Sequence, residues 1–192
     1  MAAADLEAGI ARLAAQGDLA AAATEAIRGY GPQILGWLRA VLRDEEDAAD
    51  VFSQFAEDLW RGLPGFQWKG PLRVWAYRVA WNASNRMRRD LYRQRGRRLR
   101  TTEISRLAES VRTGIAVAAR REDGLERLRQ ELDPLEQTLL ILRLDKKLSW
   151  REVAQVLAES EELVLEEAAL RKRFERIKRK LAEKARAEGL LE

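Results

Sequence analysis

Residues 132–157 read LDPLEQTLLILRLDKKLSWREVAQVL, and their punctuation decides the fold. Pro134 suits the first turn of a helix, where its missing N–H costs nothing. A helix is predicted from about Pro134 to Leu144, and LDKKL breaks it. Ser149 followed three residues later by Glu152 is the reciprocal cap that opens a second short helix. Val153, Val156 and Leu157 form its apolar stripe.

Residues 169–180, ALRKRFERIKRK, carry the same period further. Leu170, Phe174, Ile177 and, one step on, Leu181 recur at i, i+4, i+7 and i+11, the spacing of one buried helix face. Every other side is basic. Elsewhere Val, Ile and Thr never alternate as in strands, and the four prolines stand at turn-like sites. The predicted fold class is all-α.

Upstream, one or two short Ala-rich helices are expected over residues 5–28 and another from about Pro32 to Arg43. Asp44 is placed to cap a helix running to Trp60. RGLPGFQWKGP, residues 61–71, reads as a loop, and a helix from near Pro71 runs past Arg89. Residues 93–124 have weak periodicity and glycines at 96, 114 and 124, the composition of a linker. The expected division is a helical leader at 1–28, a helical module at 29–92, a linker at 93–124 and a second module at 125–192.

The chain of 192 residues contains no histidine and no cysteine, which removes disulfides, the usual zinc ligand sets and any imidazole or thiol catalysis. No acid, base or nucleophile constellation stands out, so a binding protein without a cofactor is expected rather than an enzyme. The Ala-rich N-terminus lacks the basic start and unbroken apolar core of a signal peptide, and no run is long enough to cross a bilayer. A cytoplasmic location, off the membrane, is expected.

Charge is distributed unevenly. Residues 86–100 and residues 171–186 each carry a net +7, so a whole-chain charge of +4 leaves −10 elsewhere. Two positive patches on an acidic chain suit a polyanion such as nucleic acid. On the helix PLRVWAYRVAWNASNRMRRD, residues 71–90, Leu72, Trp75, Ala76, Val79, Ala83 and Met87 are assigned to the core side. Tyr77, Trp81, Ser84 and Arg88 fall opposite, flanked by Arg78, Asn85 and Arg89. Rings among arginines on an open face can stack on unpaired bases; the other reading packs Tyr77 and Trp81 against a neighbouring helix. Phe66, Trp68 and Lys69 in the preceding loop form a candidate pocket for an extruded base.

The helix DAADVFSQFAEDLW, residues 47–60, buries Val51, Phe55 and Leu59 and is expected to turn Asp50, Gln54, Glu57 and Asp58 outward. That face repels DNA and is either plain surface or a dock for a basic protein. The acidic stretch AESEELVLEEAA, residues 158–169, interrupts the approach to the basic helix. Glu166 and Glu167 either favour that helix's N-terminus through the macrodipole or hold it away from phosphate.

The succession LRDEEDAADVFSQFAEDLWRGLPGF, LRVWAYRVAWN, a linker, then LDPLEQTLLILRLDKKLSWREVAQVL resembles bacterial RNA polymerase sigma factors of the extracytoplasmic-function group. The resemblance covers residues 30–93 and 125–182. It implies a first block, region 2, that binds the polymerase clamp and melts and reads the −10 promoter element. It implies a last block, region 4, that binds the flap and reads the −35 element with a helix-turn-helix. Asp47 and Asp50 match the family's paired acidic positions, and Gln54 lies near the clamp-contacting site. With Glu57 and Asp58 they form the implied polymerase face. Trp75, Tyr77 and Asn82 match W-x-Y-x-x-x-x-N of the −10-reading helix.

On that resemblance the −10 set is Phe66, Trp68, Lys69, Tyr77, Arg78, Trp81, Asn82, Asn85, Arg88 and Arg89. Arg171, Arg173 and Arg176 match basic positions of the −35-reading helix, joined by Lys172, Lys178 and Arg179. Ser149, Glu152 and Ala154 match the start of the helix before it. The family commonly has Gln-Glu where this chain has Ser53-Gln54, and it lacks about six of the residues before the basic helix. Implied partners are core RNA polymerase, promoter DNA and, in a regulated member, an anti-sigma factor. A conventional helix-turn-helix regulator acting on duplex DNA without polymerase is the alternative.

Overall fold

The computed structural model describes residues 3–91, 131–158 and 166–187. The expected linker 93–124, the Arg-rich stretch 92–100, and Glu159, Glu161 and Glu162 lie outside the described residues. Within them the fold is all-α, with no strand. Helix α1 is Ala3–Ala15, α2 Leu19–Leu42, α3 Glu45–Gly62 and α4 Leu72–Leu91; a 3-10 turn, Leu63–Gly65, follows α3. Helix α5 is Pro134–Leu140 and passes into a π-helical turn, Ile141–Asp145; α6 is Trp150–Leu157 and α7 Glu167–Ala187. The chain divides into two compact units, one built on α1–α4 and one on α5–α7.

One boundary differs from expectation. No helix starts at Pro32; α2 begins at Leu19, where the Asp18 side chain accepts from the Ala21 N–H at 3.0 Å, and runs straight through Pro32. An interior proline costs about 3 kcal/mol or more. Tyr30, Ile34, Leu35, Trp37 and Leu38 are buried around it, each contributing roughly 1.5–3 kcal/mol. Pro32 itself is exposed, so the carbonyl it leaves without a donor, that of the exposed Arg28, is open to water. The helix stops at Arg43, whose left-handed φ of 59° turns the chain while its N–H still reaches Arg39 O. Asp44 then caps α3 by accepting from the Asp47 N–H at 2.8 Å, as the acidic cluster predicts.

The first unit packs Ile10, Ile27, Ile34, Leu38, Phe52, Phe55, Leu59, Leu72 and Ala76 in its core. Gly29 lets α1 close on α2, because a Cβ there would strike the Leu6 side chain. In the second unit, Asp133 and Glu136 form a capping box on α5 with Pro134 in the first turn, and Ser149 with Glu152 forms the expected one on α6. Leu139, Leu142, Val153, Val156, Leu170, Phe174 and Ile177 are buried between the three helices. Leu181 is only half-buried, and Ala185 takes the next core position.

Candidate nucleic-acid interface

Helix α4 carries the first patch, rotated from the sequence reading. Tyr77 is 1% exposed and Trp81 5%. Trp37 of α2 meets Tyr77 edge-on at 6.0 Å and lies 6.4 Å from Trp81. The two rings are therefore core residues and are withdrawn as a base-stacking surface; the alternative of packing against a neighbouring helix is the one observed. The buried arc of α4, from Leu72 through Ala76, Ala80, Ser84 and Tyr77 to Trp81, spans about half the helix circumference. A helix buried over that width packs on two sides, where a single stripe would pack on one. Arg88 goes with this side: its Nη2 donates to Ser84 Oγ at 3.0 Å and its guanidinium lies 5.2 Å from the Trp81 ring.

The face left open is the other one. Trp75, Arg78, Val79, Asn82 and Asn85 are half-buried there, and Arg86 and Arg89 are exposed. Trp75 was assigned to the core by its spacing, yet its ring continues into the preceding loop. Phe66 lies 5.1 Å from Trp75 and 5.1 Å from Trp68. Trp68 is 38% exposed and sits at a left-handed φ of 55°. Gly62 at the end of α3 admits the Trp75 ring, since a Cβ would come within 3.1 Å of it. Loop and helix thus present three linked rings, with exposed Lys69 at one end and Arg78 and Arg89 further along.

Helix α3 carries the acidic patch, which is smaller than expected. Asp44, Glu45, Glu46 and Asp50 are exposed in or near its first turn, with Asp47 half-buried among them. Partial burial, then the charges of Asp44, Asp50 and Glu46, push the Asp47 carboxyl above its ordinary value. Further along, the expectation of an outward face fails for Glu57. It is 8% exposed and lies 3.4 Å from Arg61, because its position follows Phe55 and Ala56 into the packed side of α3. Gln54 donates to Asp58 at 2.9 Å, and Asp58 pairs with Arg86 of α4. The Asp58–Arg86 pair ties α3 to α4, and Gln54 steadies Asp58 from within α3.

Helix α7 carries the second basic patch, and its neighbours sort its cations. Arg173 pairs with Asp133 at 2.9 Å, Lys180 with Glu136 at 3.7 Å, and Lys184 with Glu131. This flank is neutralised by the start of α5. On the other flank, Arg171 pairs with Glu167 at 3.2 Å and lies 5.8 Å from the Trp150 ring; Lys178 pairs with Glu175 at 2.8 Å. Lys172, Arg176 and Arg179 are exposed at i, i+4 and i+7 and have no ion pair among the described residues. They form a single outward stripe.

Arg143 escaped the sequence reading. Its Nη1 donates to Leu148 O at 2.7 Å and its guanidinium lies 4.9 Å from the Trp150 ring, which Phe174 meets edge-on at 5.3 Å. No local spacing announces that contact, because the π-helical turn brings it about.

Among the described residues no group of acidic side chains is arranged to hold a metal ion, and no helix is long and apolar enough to cross a membrane. No curated protein matches the chain. Residues 26–97, from the middle of α2 through α4, match the family model for sigma-70 region 2. The chain therefore carries a domain similar to sigma-70 region 2, and that domain holds both the open aromatic–cationic face and the acidic helix.

Proposed function

We propose that this protein is a sigma factor of the extracytoplasmic-function group, with which its 192 residues are consistent, and that its two units divide promoter recognition between them. Residues 29–92 serve as the −10 module, 93–124 as the connection and 125–192 as the −35 module. The family is non-enzymatic and works with core RNA polymerase and promoter DNA. The observation that carries the reading is the open face of α4. Phe66, Trp68 and Trp75 form a continuous ring surface there, bordered by Lys69, Arg78, Asn82, Asn85 and Arg89.

Such a surface favours opened over closed DNA. Unstacking costs a few kcal/mol per step, and stacking on protein rings returns about 1–3 kcal/mol per base, with cations holding the backbone. Only the difference in affinity for the two DNA states drives opening. Tyr77 and Trp81 support this face from behind by fixing α4 on Trp37 of α2, and Arg88 lies against Trp81.

In the second unit, α6 and α7 act as the helix-turn-helix, and the stripe Lys172, Arg176 and Arg179 meets the −35 duplex. Arg171, Arg173 and Lys178 are held by carboxylates and orient the helix rather than lead the contact. The acidic start of α3, Asp44 to Asp50, repels phosphate and so faces a basic protein surface, the polymerase clamp. Joining two modules in one chain raises the local concentration of the second once the first is bound.

The test mixes the purified chain with core polymerase and a promoter library. Transcripts starting at defined sites, dependent on the chain, are the expected result. Duplex binding with no polymerase association would instead establish a conventional helix-turn-helix regulator and overturn the proposal.

A further inference from the structure

Helix α4, which carries the open face, begins without a cap of its own. The residues before Leu72 are Gly70 and Pro71, and neither side chain holds an acceptor. The N–H groups of Val74 and Trp75 turn back to Pro71 O at 3.1 and 3.3 Å. Leu72 is fully buried, so its own N–H cannot reach water. An orphaned buried donor is destabilising, and so is a helix N-terminus without negative charge nearby.

The missing acceptor comes from 65 residues upstream. Glu7 of α1 accepts the Leu72 N–H on Oε1. Its other oxygen, Oε2, accepts from the Tyr30 hydroxyl of α2 at 3.0 Å. One carboxylate therefore holds α2 and the first residue of α4 at once. The close approach of Leu6 to Gly29 sets the height of α1 on this joint. The loop that presents Phe66 and Trp68 ends at this same point, and Phe66 is ring-to-ring with Trp75, in the first turn of α4.

We infer that Glu7 is a positioning residue for the base-reading loop. By capping α4 from outside, it fixes where the helix starts and hence where the Phe66–Trp68 rings stand relative to Asn82 and Arg78. Helix α1 lies upstream of the family match, so this assigns it a part in promoter opening beyond packing. The inference rests on the proposed −10 role of α4 and its loop.

The experiment uses the full chain with core polymerase. The promoter carries 2-aminopurine in its −10 element to report base unstacking, with single-base −10 variants to report discrimination. Glu7→Ala is expected to reduce opening about tenfold, the effect of one lost charge-assisted hydrogen bond, and to flatten the ranking of −10 variants. Binding to a −35 duplex stays at the wild-type level. Glu7→Gln keeps an acceptor for the Leu72 N–H and is expected to recover most of the opening. Ile10→Val, a fully buried change on the same helix, lowers stability without touching the cap and keeps the wild-type ranking. Hydrogen exchange at the Leu72 amide speeds up in Glu7→Ala alone.

Glu7→Ala with wild-type opening and ranking overturns the inference, as does an equal loss of discrimination in Ile10→Val. A wild-type chain that opens no promoter with core polymerase overturns the parent proposal, and the inference with it.

Discussion

The division of α7 into one open stripe and two paired flanks makes a quantitative prediction about salt. Consider two triple variants, each removing three positive charges from the same helix. The first changes Lys172, Arg176 and Arg179 to alanine. The second changes Arg173, Lys180 and Lys184, the residues that pair with Asp133, Glu136 and Glu131. Each phosphate contact contributes about −0.9 to the slope of log affinity against log salt. If each residue of the open stripe covers one phosphate, the first variant has a slope shallower by about 2.7. Between 50 and 200 mM salt that difference amounts to a factor of roughly 40. The variant's deficit is therefore large at low salt and shrinks as salt rises.

The second variant loses the same charge from the paired flank beside the stripe, where carboxylates already neutralise it, so its slope stays close to wild type. Its cost falls on folding instead, and modestly. Arg173 and Asp133 have side chains 35% and 49% exposed, and a pair that open is worth about 0.2–1 kcal/mol. The assay is fluorescence anisotropy of a labelled −35 duplex titrated with the full chain across the salt range. Urea unfolding of both variants checks that they are folded. Equal flattening in the two variants would mean that only overall charge matters and would refute the assignment of the stripe. An unchanged slope in the first would place those residues off the phosphates altogether.

Two further outcomes follow from the packing of the first unit. Trp81→Ala leaves a hole behind Trp37 and is expected to cost about 3–5 kcal/mol in urea unfolding, whereas Trp68→Ala stays within about 0.5 kcal/mol of wild type and lowers promoter opening; the reverse ranking in stability would show that the face of α4 has been misassigned. Burial and the Glu7 carboxylate hold the Tyr30 hydroxyl above its ordinary value of 10.0. The folded state thus favours the protonated phenol, and the stability linked to it is complete below pH 10 and lost as pH climbs beyond. The stability of wild type relative to Tyr30→Phe therefore falls above pH 10, and a difference that stays constant through that range would remove Tyr30 and its bond to Glu7 from the energetics of the fold.

What the sequence disclosed and what it withheld separate along a physical line. Asp44, Ser149 and Glu152 act within three residues of themselves, so their caps could be read in advance. The helical period of α7 was equally plain, because Leu170, Phe174 and Ile177 repeat locally. Pro32 misled for the complementary reason. Its breaking tendency is local, but the burial of Tyr30, Ile34 and Trp37 that overrides it comes from the helices packed around α2.

The rotation of α4 is the same problem at the functional face. A helical wheel reports which residues share a side; it does not report how many sides are covered. Leu72, Ala76, Val79 and Ala83 read as one narrow stripe, yet Trp37, some forty residues upstream, adds a second contact and takes Tyr77 and Trp81 into the core. Paired charge on α7 depends likewise on Asp133, forty residues from Arg173. In each case the sequence supplied the chemical inventory of the surface, and contacts across tens of residues decided which part of it remained open. That is why the membership of the proposed nucleic-acid interface moves while its chemistry stays aromatic and cationic. Trp75 replaces Tyr77 and Trp81 as the ring of the open face, and Lys172, Arg176 and Arg179 stand forward of Arg171, Arg173 and Lys178. Selection for binding acts on the exposed remainder after folding has claimed its share, so a cation that meets a carboxylate at home is a poor candidate for the leading contact with phosphate.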